Sequence, residues 1–248
     1  MLKLMQSGVI SLLFLTTFGL VNYKNLGAIA VSPQQSHVSI TKSTTKSTKI
    51  IVFENTNSPN RQYAVAWGIP GIDGNYGNID LGDNNNKLEN YLVNTKSNKI
   101  IATLHEMKSY PKPVWGGLFT KWSTSSQFLL TIDEAKWAFR AVSLVKNNGT
   151  QISIAKKLIA DSRSHLAKYD NTAYQANKEN LSFEFDRDSN LLKLTDNQLQ
   201  FPVYIYIAKR FTYERKVLIT YQIEKVGTSF NLKLASIKNL KVDYREPK

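Results

Sequence analysis

The sequence predicts a mainly-β fold: an antiparallel meander, then one amphipathic helix, then a C-terminal antiparallel sheet. Three observations predict it. Short apolar runs separated by Ser-, Asn-, Gly- and Lys-rich turns fill residues 50–152. A helical period occurs only between Ser153 and Tyr169. Beyond Leu181, apolar and polar residues alternate strand after strand.

The first thirty residues read as an export signal. Lys3 gives a short positive start, Val9 to Val21 is an apolar core, and Ala28-Ile29-Ala30 supplies the small-x-small pattern cleaved by a signal peptidase. The alternative is a retained N-terminal membrane anchor, but a spanning helix needs about 20 apolar residues and this core is shorter. Either reading places the body outside the cytoplasm, periplasmic or secreted. Residues 31–49, with Ser32-Pro33-Gln34-Gln35-Ser36 and a Thr/Lys/Ser run from Thr41 to Lys49, lack apolar periodicity and read as a flexible polar spacer.

The body then starts near Ile50. Tyr63 to Trp67 is a strand led in by the turn Ser58-Pro59-Asn60-Arg61. Tyr91-Leu92-Val93 and Ile100 to Leu104 flank the turn Thr95 to Lys99. Leu118 to Trp122 and Phe128 to Ile132 flank Ser123-Thr124-Ser125-Ser126, and Ala141 to Val145 and Thr150 to Ile154 flank Lys146-Asn147-Asn148-Gly149. The two serine-led stretches, Ser58 to Val65 and Ser123 to Leu130, echo each other as an internal repeat.

Those two stretches resemble the Ser-Pro-Asp-Gly turns of WD40-like, TolB-type β-propeller blades. In order, Tyr63 to Gly68, Asn90 to Val93, Gly116-Gly117-Leu118, Trp122-Ser123 and Lys136-Trp137-Ala138-Phe139-Arg140 are similar to a group of exported bacterial proteins of uncharacterised role. The likeness covers about half of the mature chain. It departs from the blade pattern at Thr124, where the turn proline belongs, and at Trp115, where a histidine is expected. It implies propeller-like β-structure over residues 50–152 and export, and it implies no activity. A blade takes about 40–45 residues, so two or three are expected there, too few to close a ring.

The helix places Ala155, Leu158, Ile159, Ser162, Leu166 and Tyr169 on one face, with Lys156, Lys157, Arg163 and Lys168 mostly outward. Asp170 to Asn180 is a short second helix or a loop, so residues 153–180 form a helical connector. In residues 181–248, Leu181, Phe183 and Phe185 oppose Ser182, Glu184 and Asp186. Val217, Ile219, Tyr221 and Ile223 oppose Lys216, Thr220, Gln222 and Glu224, and Phe230, Leu232 and Leu234 oppose Asn231 and Lys233. Phe201 to Ala208 is apolar on both faces and belongs at the sheet centre.

Composition narrows the chemistry. The chain has no cysteine, which removes disulfides, thiol nucleophiles and thiolate metal sites. Its net charge is +13, mostly lysine, and only Lys3 and Lys24 of the excess lie in the leader. Lysine is a hydrated point charge, less suited than arginine to bidentate phosphate recognition, so loose attraction to an anionic polymer fits better than a specific nucleic-acid site. The three histidines are dispersed: His37 in the spacer, His105 beside Glu106, His165 on the helix, with no His-Glu-x-x-His spacing. Asp73, Asp80 and Asp83, in an Asn-rich loop, are weak calcium candidates. Asn stands where an EF-hand needs its sixth-position glycine and its twelfth-position acid. Adjacent Asp133 and Glu134 would point to opposite faces of a strand and cannot flank one bond, and they read as caps of a hairpin. A nucleophile elbow and a phosphate-cradling loop are absent. No catalytic residue and no cofactor is implied.

All four tryptophans fall between residues 67 and 137. Trp67, Trp115 and Trp137 with Arg140 could gather at one rim as a binding platform, but large aromatics more often fill the core between small sheets, and that is the favoured reading, with Trp122 the first core candidate and Trp115 the first exposed one. The expectation is a non-enzymatic binding or scaffold module of the periplasm or cell envelope, its partner an envelope protein or anionic polymer. The rival is an envelope hydrolase whose Asp73, Asp80, Glu106 or Asp133 converge only in three dimensions.

Overall fold

The structure is a computed structural model that describes residues 37–40, 48–72, 87–108, 117–135, 138–187, 190–207 and 213–241. All of them belong to one compact unit, Gln34–Lys248. They form three antiparallel sheets and two helices. The first sheet is a meander of β1 (His37–Ile40), β2 (Thr48–Val52), β3 (Tyr63–Gly68), β4 (Glu89–Asn94) and β5 (Lys99–Leu104), in that order. The second is β6 (Gly117–Trp122), β7 (Phe128–Ala135), β8 (Ala138–Lys146) and β9 (Gln151–Ser153), again in order.

The helices α1 (Ala155–Tyr169) and α2 (Asn171–Asn177) follow, then β10 (Leu181–Phe185), β11 (Lys193–Leu194), β12 (Gln198–Ile207), β13 (Glu214–Val226) and β14 (Ser229–Leu240). The third sheet has the order β10-β12-β13-β14, with β11 also paired to β12. The expected central strand is indeed central: β12 lies between β10 and β13. Among the described residues no helix is long and apolar enough to cross a membrane.

Period-two geometry decides the layering. On β7, Phe128, Leu130 and Ile132 face the third sheet and pack with Phe201, Val203, Ile219 and the α1 residues Leu158 and Leu166. Leu129 faces the other way, where it joins Ala141 and Val145 against Val65, Leu92 and Leu104 of the first sheet. The second sheet is therefore the middle layer, buried on both faces. That is why its strands read as nearly continuous apolar runs and not as alternation. Each such leucine or phenylalanine contributes roughly 1.5–3 kcal/mol by its burial.

The two serine-led turns share their backbone hydrogen bonds and the bond to the serine hydroxyl. Ser58 N–H donates to the Tyr63 carbonyl and Ser123 N–H to the Phe128 carbonyl, both at 2.8 Å. Each serine Oγ accepts from the amide five residues on, Tyr63 at 3.0 Å and Phe128 at 3.1 Å. Arg61 and Ser126 occupy the same left-handed position, with φ of 55° and 62°. Proline at residue 59 and threonine at residue 124 give one geometry, because proline only presets a φ the turn already uses. A third member appears in the structure alone: Ile223 N–H reaches the Asn197 carbonyl as Thr95 reaches Gln62 and Asn147 reaches Gln127, each at 2.9 Å. Its turn, Thr195 to Gln198, is two residues shorter, which hides it from a spacing comparison.

Three expectations need correction and one open reading is decided. The spacer is not wholly irregular: His37–Ile40 pairs with β2, His37 opposite Ile51 and Ile40 opposite Thr48. The alternation His-Val-Ser-Ile suits a strand, and β2 offers an edge whose amides need partners. Of the two readings of residues 170–180, the short second helix is the one observed, so α1 and α2 follow in succession. Asp170 separates them: its N–H closes α1 on the Leu166 carbonyl at 2.8 Å, and its carboxylate caps α2 at Ala173. Tyr169 leaves the buried face and is 61% exposed, stacked on His165 with ring centroids 5.9 Å apart. The strand β14 is less covered than its pattern suggests, with Leu234 40% exposed.

Candidate functional site

Of the expected platform, Trp67 is a core residue. It is 3% exposed and packs with Ile51, Ile69 and Leu88. The pairing of β2 with β3 sets Trp67 directly opposite Ile51, so the strand's own register carries it inside. Trp115 and Trp137 lie outside the described residues, as do Asp73, Asp80 and Asp83. Trp122 is core as expected: its indole N–H donates to the Thr56 carbonyl at 2.8 Å and its ring stacks on Tyr63, tying the second sheet to the first.

Arg140 is half exposed and is committed to Asp133. Its guanidinium lies 2.6 Å from the Asp133 carboxylate, which is 1% exposed and also accepts the Lys108 amide at 3.3 Å. The cause is a β-bulge. Asp133 pairs with Ala141 and Glu134 with Phe139, so Arg140 has no partner across the ladder and is re-aimed onto the carboxylate. Glu134 is also buried and ion-pairs with Arg187, just beyond β10. The adjacent carboxylates therefore lie within β7 and do not cap a hairpin. One is held by a guanidinium from β8 and the other by a guanidinium from the third sheet's side.

The remaining buried acid follows the same rule. Asp186, which the alternation placed outward, folds in to the Lys216 ammonium at 3.1 Å. Glu106 is exposed and accepts the Ser153 hydroxyl at 2.6 Å, joining the first sheet to the end of β9. His105 is exposed and half-buried His165 bonds Asn239 at 3.0 Å. Among the described residues, no group of three or more His, Cys, Asp or Glu side chains is arranged to hold a metal ion.

The structure brings together a polar aromatic cluster that sequence reasoning did not single out. It lies on the face of the third sheet opposite the core residues Val203 and Ile205, with Tyr204 half-buried and Tyr206 buried. Their rings stack at 5.2 Å. The register sets Glu184 beside Tyr204 on one side and Lys216 on the other, with Glu214 beside Tyr206. The Tyr206 hydroxyl donates to Glu184, and the Lys216 ammonium sits 5.6 Å over the Tyr204 ring.

Burial raises the pKa of both phenols well above the ordinary value. Hydrogen bonds to carboxylates, Glu214 for Tyr204 and Glu184 for Tyr206, raise them further. The phenols hold their protons at neutral pH and the carboxylates accept from them. Such a cluster can orient a polar or cationic group by hydrogen bonding and ring contact. The usable sequence signal was the polar-aromatic side of β12, where Tyr204 and Tyr206 interrupt an otherwise apolar strand.

Comparison with protein-family models, with curated proteins and with solved structures finds no match.

Proposed function

We propose that the chain is an exported, non-enzymatic binding or scaffold module of the periplasm or cell envelope. One observation carries the reading. The buried carboxylates of the described residues, Asp133, Glu134 and Asp186, each face a cation from another strand or loop, Arg140, Arg187 and Lys216. Groups that would serve as acid and base in a hydrolase are instead spent in joining strands and sheets. The likeness to exported propeller-blade proteins and the apolar leader support the same assignment. Tyr204, Glu184, Glu214 and Lys216, all half-buried at the surface, are the contact residues of this reading.

The test is a thermal-shift panel on the exported protein against calcium, glycans, peptidoglycan fragments and polyanions. A ligand at 100 times its Kd stabilises by about 2.7 kcal/mol. A shift that survives high salt and is lost in Tyr204→Ala supports the module. Turnover of any envelope polymer, abolished by Glu184→Gln or Asp133→Asn without loss of stability, would overturn it.

A further inference from the structure

The third sheet ends on an edge unlike the others. β14 is twelve residues long, and Lys233, Leu234 and Ala235 are exposed in succession. Its hairpin neighbour Val226 is 57% exposed. The other edges among the described residues are shorter, the longest being β5 and β6 with six residues each. β1 has four residues, β9 three and β10 five. On β5, the Thr103 carbonyl accepts from the Gln151 amide at 2.7 Å and the His105 N–H donates to the same side chain at 3.1 Å. An edge strand presents every second N–H and C=O without a partner, and proteins ordinarily blunt such strands.

The side chains of β14 specify what could fit. On the face shared with the core lie Leu232, Leu234 and Ile237, opposite Ile223, Tyr221 and Ile219 of β13. Leu232 and Ile237 are only partly buried. On the other face stand Lys233 and Lys238, opposite Gln222 and Leu218, and the strand contains no acid. Lys233 is 69% exposed and reaches Glu224 only at 3.7 Å, leaving its charge largely to solvent.

We propose that the free edge of β14 takes an extended strand of a partner protein in which apolar residues alternate with acidic ones. The apolar positions extend the Leu232–Leu234–Ile237 strip, and the acids pair with Lys233 and Lys238 across the new ladder, the partner passing the Ala235 bulge of β14 one residue short, as β13 does. A second copy fits less well. The antiparallel register that pairs Leu234 with Ile237 sets Lys233 against Lys238 twice, and like charges directly opposite destabilise a sheet. The inference rests on the binding-module reading and adds the mode of binding and the partner's chemistry.

The probe is a capped twelve-residue peptide alternating Val and Glu, added to the full exported protein and read by fluorescence anisotropy. Three counterparts accompany it: Lys in place of Glu, the same residues in blocks, and N-methylation of alternate amides. The expected result is at least tenfold tighter binding of the alternating Glu peptide than of the Lys and block peptides, with loss on N-methylation. Lys233→Glu with Lys238→Glu reverses the preference, whereas Lys96→Glu with Lys121→Glu, remote exposed lysines, leaves the affinity within twofold.

Retained binding of the N-methylated peptide, or equal loss in the remote pair, would mean bulk charge attraction and overturn the proposal. So would a dimer in sedimentation that Leu234→Lys dissolves, since a second copy would then hold the edge. A protein blind to every peptide that still shifts in the ligand panel would refute the edge while leaving the module reading intact.

Discussion

Replacing Arg140 by alanine separates a structural clamp from a ligand-facing residue. The Asp133 carboxylate is 1% exposed and holds the guanidinium at 2.6 Å, while the arginine side chain is 48% exposed. A hydrogen bond to a charged group contributes about 1.5–3 kcal/mol, and a half-solvated guanidinium belongs in the lower part of that range. The Lys108 amide, at 3.3 Å, remains as a weaker partner and softens the loss. The expected cost of Arg140→Ala is therefore about 1.5–2 kcal/mol, which in a chain of this size lowers Tm by roughly 3–8 °C.

Asp133→Asn with Arg140→Ala should cost less than the sum of the single changes, with a coupling of about 1 kcal/mol or more. Urea unfolding followed by far-UV circular dichroism measures all four corners of the cycle, provided the m-value stays constant. Stability within about 0.5 kcal/mol of the parent, or strict additivity, would refute the clamp. Unchanged stability with lost ligand binding would return Arg140 to the exposed platform its sequence position suggested.

Other outcomes follow from the same geometry. Gly149→Ala should destabilise by roughly 1–3 kcal/mol, because φ is +92° and the new Cβ would stand 2.9 Å from Ala102 Cβ. Gly227→Ala, with φ +56° and open space, should cost only about 1 kcal/mol, and equal values from the two melts would count against the contact. Ser58→Ala and Ser123→Ala should each lose about 0.5–1.5 kcal/mol in urea, since both hydroxyls accept the same amide of the repeated turn. A neutral result at one turn would break the equivalence.

The phenols' contribution to stability should be full below about pH 10 and fall as pH rises above it. Tyr204, Tyr206, Tyr213 and Tyr221 keep their protons longer folded than unfolded, so the unfolded chain binds fewer protons there. Tyr221→Phe should lower that slope by up to about 1.4 kcal/mol per pH unit, and absorbance at 295 nm showing all tyrosines ionising together would contradict it. Sequencing of the exported protein should begin at Val31, and a start at Met1 in a membrane fraction would favour the anchor.

Much of the fold was legible because period-two alternation is a local property. Leu181, Phe183 and Phe185 in β10, and Val217, Ile219, Tyr221 and Ile223 in β13, all lie inside as their pattern required. The candidate site was less legible. Tyr204, Glu184, Lys216 and Asp186 come from three segments, and only the pairing of β12 with both neighbours brings them together. Trp67 was open between rim and core because a glycine after a strand marks a chain bend without saying which layer the preceding side chain enters, and it lies in the core. Tyr169 failed as a core residue because the last turn of α1 runs past the sheet it covers. The helical period gives the direction of a side chain, not the extent of its neighbour.

By itself the sequence determined most of the strands from β3 onward, two of the three related turns, α1 and the inward faces of β10 and β13, because each depends on residues within a few positions of one another. It also determined the absence of thiol chemistry and the excess of lysine. Only the tertiary structure decided that the second sheet is buried on both faces, that Asp133, Glu134 and Asp186 are held by cations, and that among the described residues β14 is the last strand of the third sheet. Those facts depend on which sheet lies against which, and sheet-on-sheet contact joins residues whose separation along the chain carries no periodic signal.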